Sequence, residues 1–262
     1  MNEYYEKVFS KLLTEEYDDD FRKIQNLTWL PWVGKEYKNT KIFIIAESHY
    51  TNSDIPEKII EDKNAYMNDI YSTREIFAEY PVLGYDANWR NGGIRGNNPT
   101  FDGIFKLLVS DSLLYGNKKL QREKLCSNIA FMNIIQRPMH YPKKGRKERP
   151  NDNDRQIGWN AVIEVIKIIS PDICIFAGAE AAKNFNWNMK QLNINASELQ
   201  WSNTKIGNTY PKFAEIQINA KLIPLKFIRH PGSYFNWQEW QKFVFAEQLQ
   251  EKQKQLQQAI IQ

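Results

Sequence analysis

Cysteine is scarce in this sequence. Cys126 and Cys174 are the only two in 262 residues, too few for an iron–sulfur cluster or a structural zinc knuckle, and they read as buried thiols of a reducing compartment. Histidine is nearly as rare. His49, His140 and His230 are the three present, and none forms the i, i+4 pair that holds a metal on a helix, so neither metal nor cofactor is expected. No apolar run approaches the roughly 20 residues of a membrane span. Met1-Asn2-Glu3-Tyr4 has neither the basic nor the apolar region of a signal peptide. The expectation is therefore a soluble, cytoplasmic protein with no membrane partner. Charge of one sign is also lacking: Lys+Arg of 35 against Asp+Glu of 31 leaves +4, which alone indicates no polyanionic partner. Internal repeats and long linkers are missing too, and the length suits one domain with terminal additions. We expect an N-terminal helix and aromatic loop over 1–40, an α/β domain over 41–249, and a Gln-rich helical tail over 250–262.

What is present is a set of apolar runs that stop abruptly in polar residues. Lys41-Ile42-Phe43-Ile44-Ile45-Ala46-Glu47-Ser48-His49-Tyr50 has the form of a buried parallel strand delivering side chains to a site. Ile129-Ala130-Phe131-Met132 ends in Asn133, and the run over 222–228 ends in Arg229-His230-Pro231. Open α/β sheets keep their chemistry at such strand ends. Glu47, Asn133 and His230 thus form one testable constellation.

Between these runs the pattern is helical or loop-like. Tyr5, Val8, Phe9, Leu12 and Leu13 stand at helical spacing. Asp18-Asp19-Asp20 is expected to be a solvated helix start rather than a metal site, because adjacent side chains on a helix diverge. The aromatic stretch Trp29-Leu30-Pro31-Trp32 either lines a pocket or caps the sheet. Helices are predicted over 54–79, from Thr100-Phe101 onward, over 153–170 and from Asn236. A Gly- and Asn-rich loop over 88–99, with Trp89, Arg90 and Arg95, is either a phosphate and base contact or an ordinary surface loop. The basic run over 143–150 is either a solvated loop or a sequence-neutral phosphate contact. Pro171 to Ala182 reads as a buried strand, a Gly turn and a helix start, the stretch 184–210 says little, and 216–228 holds a strand or strand pair turning near Asn219-Ala220-Lys221. The tail is expected to face solvent or another chain. Strands alternating with helices argue for a three-layer α/β/α domain with a mainly parallel central sheet.

The order of motifs resembles the uracil-DNA glycosylase superfamily. Ala46-Glu47-Ser48-His49-Tyr50 is similar to that family's first motif (G-Q-D-P-Y-H, or G-E-A-P-G in another branch). Asn133 matches its strand-end Asn, Ala177-Gly178-Ala179-Glu180-Ala181 its strand-to-helix motif, and His230-Pro231-Gly232-Ser233 its final H-P-S. The resemblance covers roughly residues 41–245. Ala46 stands for the opening Gly, His49 for the Pro and Ser48 for the water-activating Asp of the best-known branch, while Glu47 matches a branch whose four-cysteine cluster this chain cannot build. A divergent branch is implied.

The resemblance implies a monofunctional DNA glycosylase that flips a deaminated or modified pyrimidine and hydrolyses its N-glycosidic bond, in repair or in defence against phage DNA. Expulsion of a base anion from an oxocarbenium-like sugar needs negative charge or an activated water near the sugar and a donor at the base oxygen. Glu47 suits the first and His230 the second, with Ser48 the third expected catalytic position. Asn133 offers an acceptor beside donors for the base edge; turning its amide over exchanges uracil for cytosine. Tyr50, His49 and Phe101 are the other expected base-binding residues. Arg137, Lys143, Lys144, Arg146, Arg229, Ser233 and Tyr234 are expected at the DNA, with Tyr234, Phe235 or Trp237 available to wedge into the stack. DNA is the expected partner and a monomer the expected state. Two alternatives come from other classes: a catalytically inactive glycosylase-like module that only binds DNA, and a metal-dependent hydrolase using Glu47, His49, His140 and His230.

Overall fold

Ile42-Phe43-Ile44-Ile45 offers no polar side chain for a solvated face, so the strand it forms must be covered on both sides. A computed structural model describes residues 3–52, 73–79, 82–83, 98–109, 118–141, 146–178, 180–232, 234–246 and 249–261. In chain order the elements are α1 (Glu3–Leu12), α2 (Asp18–Phe21), β1 (Trp32–Val33), α3 (Tyr37–Thr40), β2 (Ile42–Ala46), β3 (Tyr50–Asn52), α4 (Thr73–Glu79), α5 (Pro99–Leu108), α6 (Lys118–Asn128), β4 (Ile129–Asn133) and β5 (Met139–Tyr141). They continue with α7 (Asp152–Ile169), β6 (Ile173–Ala177), α8 (Phe185–Gln191), β7 (Asn195–Ala196), β8 (Gln200–Trp201), β9 (Lys212–Ile218), β10 (Lys221–Ile228), α9 (Trp237–Val244) and α10 (Gln250–Ile261).

The main sheet runs β1-β4-β2-β6-β10-β9-β7, with β8 also on β9. It is mixed rather than mainly parallel. Its centre, β4-β2-β6-β10, is parallel, while β1, β7, β8 and β9 pair antiparallel. Strand alternation sends Ile42, Ile44, Phe131 and Ile175 into one apolar cluster, shared with α1, α4, α5, α6, α9 and α10. Phe43, Ile45, Met132 and Phe176 enter a second cluster with α2, α7 and α8. The sheet is thus a layer between two helical ones.

Local chemistry sets the element starts. Asn151 and Asp154 form a capping box at α7, each side chain accepting the other's backbone N–H at 2.9 Å. Asn98 caps α5, accepting from the N–H of Thr100 at 3.0 Å. The β9–β10 hairpin turns on Asn219 and Ala220 with φ of 49° and 62°, the sign pair that a two-residue loop matching strand twist requires.

Several expectations are corrected. Asp18 is buried at 5% exposure, because the Arg74 guanidinium grips both its oxygens at 2.6 and 2.8 Å and joins α2 to α4; it is not solvated. The tail is not solvent-facing throughout: Leu256 and Ile260 are buried in the first cluster and Lys252 reaches Asp172 at 2.5 Å. No helix starts directly after Gly178; residues 181–184 form a turn, and α8 follows at Phe185. The stretch 184–210 supplies α8, β7 and β8, which widen the sheet. Of the helix predicted over 54–79, the described part is α4, and the rest lies outside the described residues, as does nearly all of the 88–99 loop. Among the described residues no helix is long and apolar enough to cross a membrane.

Candidate functional site

In chain order β2 comes first, β4 second, β6 third and β10 fourth, yet β2 lies between β4 and β6. Successive connections therefore leave in opposite directions from the β2–β6 pair, and beyond the carboxyl ends of such a pair a crevice opens. Ala46 stands opposite both Asn133 and Ala177 in register, and Ala177 opposite Ile228. The four strands consequently end at one level, and Glu47, Gly178 and Arg229 continue three of them.

Glu47 lies across the end of β6 only because Gly178 is there. A Cβ on Gly178 would sit 2.2 Å from Glu47 Cγ and 2.3 Å from Cδ and Oε1, and the φ of +142° itself favours glycine. Glu47 Oε1 accepts the Glu180 N–H at 3.0 Å, and Oε2 has no hydrogen-bond partner among the described residues. The turn carrying that amide is anchored in its own right. The Glu180 carboxylate meets Arg155 at 2.9 Å and Lys183 at 2.6 Å. Burial pushes its pKa up, but Lys183 and Arg155 outweigh this and leave it below the ordinary value.

Asn133 and His49 are both nearly closed off, at 4% and 5% exposure. Asn133 Nδ2 lies 2.7 Å from His49 Nε2, and Thr73 Oγ1 lies 3.1 Å from the same nitrogen. Trp29 meets the imidazole edge to face with centroids 4.5 Å apart. Burial drives the His49 pKa down to about 3, so the ring is neutral. The main chain beneath is fixed: Gln136 donates to Asn133 O at 2.6 Å and accepts from Thr28 N at 2.9 Å. The amides of Ile134 and Ile135 bond to Ala46 O and Glu47 O, each at 2.9 Å. Beyond them β3 and β5 pair in parallel. Gly158 lets α7 close on this bend, since a Cβ there would meet Ile134 O at 2.3 Å.

His230 forms the opposite wall. Its Nδ1 accepts the Gly232 N–H at 3.1 Å, so the neutral ring carries its proton on Nε2. More than a third of its surface is open to solvent, yet crowding by protein on the other side lowers its pKa, with Glu47 opposing and Lys147 assisting. The start of α5 closes against this loop. A Cβ on Gly103 would meet Pro231 at 2.7 Å, and one on Gly232 would meet Thr100 Oγ1 at 2.8 Å.

The remaining expected residues separate. Tyr50 is 39% exposed with Lys147 Nζ 4.7 Å above its ring. The Ser48 hydroxyl is buried with no partner at hydrogen-bond geometry among the described residues, although the Tyr50 phenol feels it: burial raises that phenol's pKa and Ser48 pulls it down. Phe101, expected at the base, is 5% exposed and packs on Phe77 and Phe131 at centroid distances of 5.5 and 5.6 Å. Arg137 is engaged within the fold, 2.6 Å from both Asp154 and Glu148, which hold its charge strongly against the desolvation. Arg146 is exposed, Arg229 half-buried, and Tyr234 97% exposed at a φ of 39°. Lys143, Lys144 and Ser233 lie outside the described residues.

Trp29 and Lys147 come from the aromatic and basic stretches for which the sequence leaves a site role open, whereas Thr73 and the Glu180 amide belong to the site without having been anticipated. No sequence pattern marks them, since each reaches it from a different segment. Among the described residues no cluster of three His, Cys, Asp or Glu side chains could hold a metal ion. Comparison with protein-family models and with curated proteins finds no match to this sequence.

Proposed function

We propose that the protein is a DNA glycosylase that takes a non-canonical pyrimidine out of the stack and hydrolyses its N-glycosidic bond. The observation that carries this reading is Glu47 laid over Gly178 with one carboxylate oxygen pinned by an amide and the other without a partner among the described residues, within electrostatic reach of a His230 whose neutral ring carries its proton on Nε2. Glu47 Oε2 orients a water or stabilises the sugar cation as the bond lengthens. His230 Nε2–H bonds to the base oxygen on which negative charge develops. A neutral imidazole with a depressed pKa suits that role, because it stabilises the anion without surrendering a proton. Asn133 reads the base edge, and Tyr50 lines the mouth.

DNA is held by exposed Arg146, Lys147 and Arg149, with Arg229 at the strand end. Tyr234, exposed and held in a left-handed turn, fills the gap left by the flipped nucleotide. This contact set makes binding fall with added salt. Excision of a deaminated base would serve repair, and excision of a hypermodified one would serve defence against phage DNA. The buried Ser48 hydroxyl, without a hydrogen-bond partner among the described residues and at the position where the best-known branch of the resembling family has its Asp, favours a second reading: a DNA-binding module without catalysis.

The test is mass-spectrometric identification of bases released from unmodified DNA, uracil-containing DNA and phage genomes with modified pyrimidines. Wild type is compared with Glu47→Gln and His230→Ala. Release of one base by wild type, reduced roughly 10²–10³-fold in His230→Ala, is expected. Salt-sensitive binding with no release from any substrate would establish the binding module instead.

A further inference from the structure

The geometry points to His49 as the residue that decides which way the Asn133 amide faces, and through it which pyrimidine edge the site accepts. This rests on reading the crevice as a base pocket. His49 Nε2 presents either a lone pair or an N–H, never both. The Asn133 atom 2.7 Å away must be its complement: nitrogen against a lone pair, oxygen against an N–H. Thr73 Oγ1, 3.1 Å from the same nitrogen, does not decide between the two, because a hydroxyl donates or accepts as needed. Nor can Asn133 turn away. Its main chain is fixed by Gln136 and by the Ile134 amide bonded to Ala46 O, and its side chain is closed in at 4% exposure, so the freedom left to that side chain is an exchange of Oδ1 and Nδ2.

Here Nδ2 faces His49, which therefore carries its ring proton on Nδ1, and Oδ1 has no partner among the described residues. That oxygen and the second Nδ2 hydrogen present an acceptor beside a donor in one fixed order. Moving the proton from His49 Nδ1 to Nε2 reverses the amide and hence the order. Uracil presents an N–H beside a carbonyl at its reading edge and cytosine the reverse, so the two tautomers correspond to the two families of pyrimidine. A mismatch buries unpaired groups on both sides, worth roughly tenfold or more in selectivity. Burial of the ring at 5% exposure keeps the cation, which could only donate, out of this choice. His49 is thus a positioning residue acting through Asn133.

Nitrogen-15 NMR of the histidine rings tests the coupling without any requirement for activity. With three histidines in the chain, His49 is assigned by elimination, from the signals lost in His140→Gln and His230→Gln. The wild-type ring is expected to be protonated on Nδ1 and bare on Nε2. In Asn133→Asp, whose ionised carboxylate only accepts, Nε2 is expected to carry a proton. The same protonation pattern in both proteins overturns the proposal, and this arm decides even if a His49 variant does not fold. The selectivity arm compares kcat/KM on DNA bearing uracil-type and cytosine-type bases with the same 5-substituent. In His49→Leu the ratio of the two is expected to collapse at least tenfold, with partial recovery in His49→Gln. An equal loss on both bases refutes a role in selection. Failure of the wild type to release any base would overturn the glycosylase reading instead, leaving the NMR result to stand for the two side chains.

Discussion

Acidification should destabilise this protein through His49. His49 titrates near 6.5 when unfolded but near 3 in the fold, because its burial disfavours the imidazolium. Between those values the unfolded chain binds a proton that the folded one refuses. The stability is therefore fully present above about pH 6.5 and lost as pH falls toward the folded pKa. Each pH unit well inside that window costs about 1.4 kcal/mol, and by about pH 4.5 the loss from the neutral plateau reaches about 2.7 kcal/mol. The result depends little on the folded value as long as it lies below 4. His230, also depressed by its surroundings, adds in the same direction. Asp154, Asp172 and Glu180, all held below the ordinary carboxylate values, add to the loss at the acid end of the window but do so equally in wild type and variant, so the difference between the two isolates His49. Urea denaturation at several pH values across the window, for wild type and His49→Gln, measures the effect. The variant is expected to be less stable near neutrality but to have a pH slope shallower by about 1.4 kcal/mol per unit. Equal slopes would show that His49 accepts a proton within the fold, and the neutral imidazole argument would fail.

Gly178→Ala should silence the site while leaving much of the fold intact, since its Cβ would lie 2.2 Å from Glu47 Cγ; base release as low as in Glu47→Gln with near-native circular dichroism is expected. Ala220→Gly should stabilise the protein by roughly 1 kcal/mol in urea melts, because an L side chain at a φ of 62° is strained where glycine is not. Arg74→Ala should cost about 3–5 kcal/mol by stranding a buried Asp18 carboxylate. Arg74→Met with Asp18→Leu should recover most of that loss in the same assay.

How far the sequence could be read depended on the range of the interaction involved. The strands carrying Glu47 and Asn133 were visible because a strand covered on both faces must be apolar throughout, and the one leading to His230 because Ile223, Leu225 and Phe227 alternate toward the core. The two-residue strands β1, β7 and β8 are too short for any periodicity to register. The helix α6 escaped because its burial is largely polar: Arg122, Glu123 and Asn128 are buried beside Leu125 and Cys126. In the tail, Leu256 and Ile260 stand four apart, an apolar stripe too thin to outweigh the surrounding Gln. At the site, the strand ends could be named but not their partners. Asp18 meets Arg74 from 56 residues away and Asn133 meets His49 from 84, and such pairs exist only once the sheet has set the register. Glycine gives the clearest instance. Gly178 is recognisable as a turn residue, but its function is to leave room for a side chain from the neighbouring strand.

The parallel pairing of β3 with β5 has a bearing on recognition itself. Tyr50 is matched to Met139 and Thr51 to His140, and the Met139 amide also bonds to His49 O at 2.7 Å. The segments leaving β2 and β4 are therefore laced together, and one cannot swing outward without tearing a ladder from the other. Glu47, His49 and Asn133 consequently hold their mutual spacing through this lacing alone. If the site takes a nucleotide as proposed, that nucleotide would meet a wall already set, with the entropy of ordering those side chains lost when the chain folded rather than when the ligand bound.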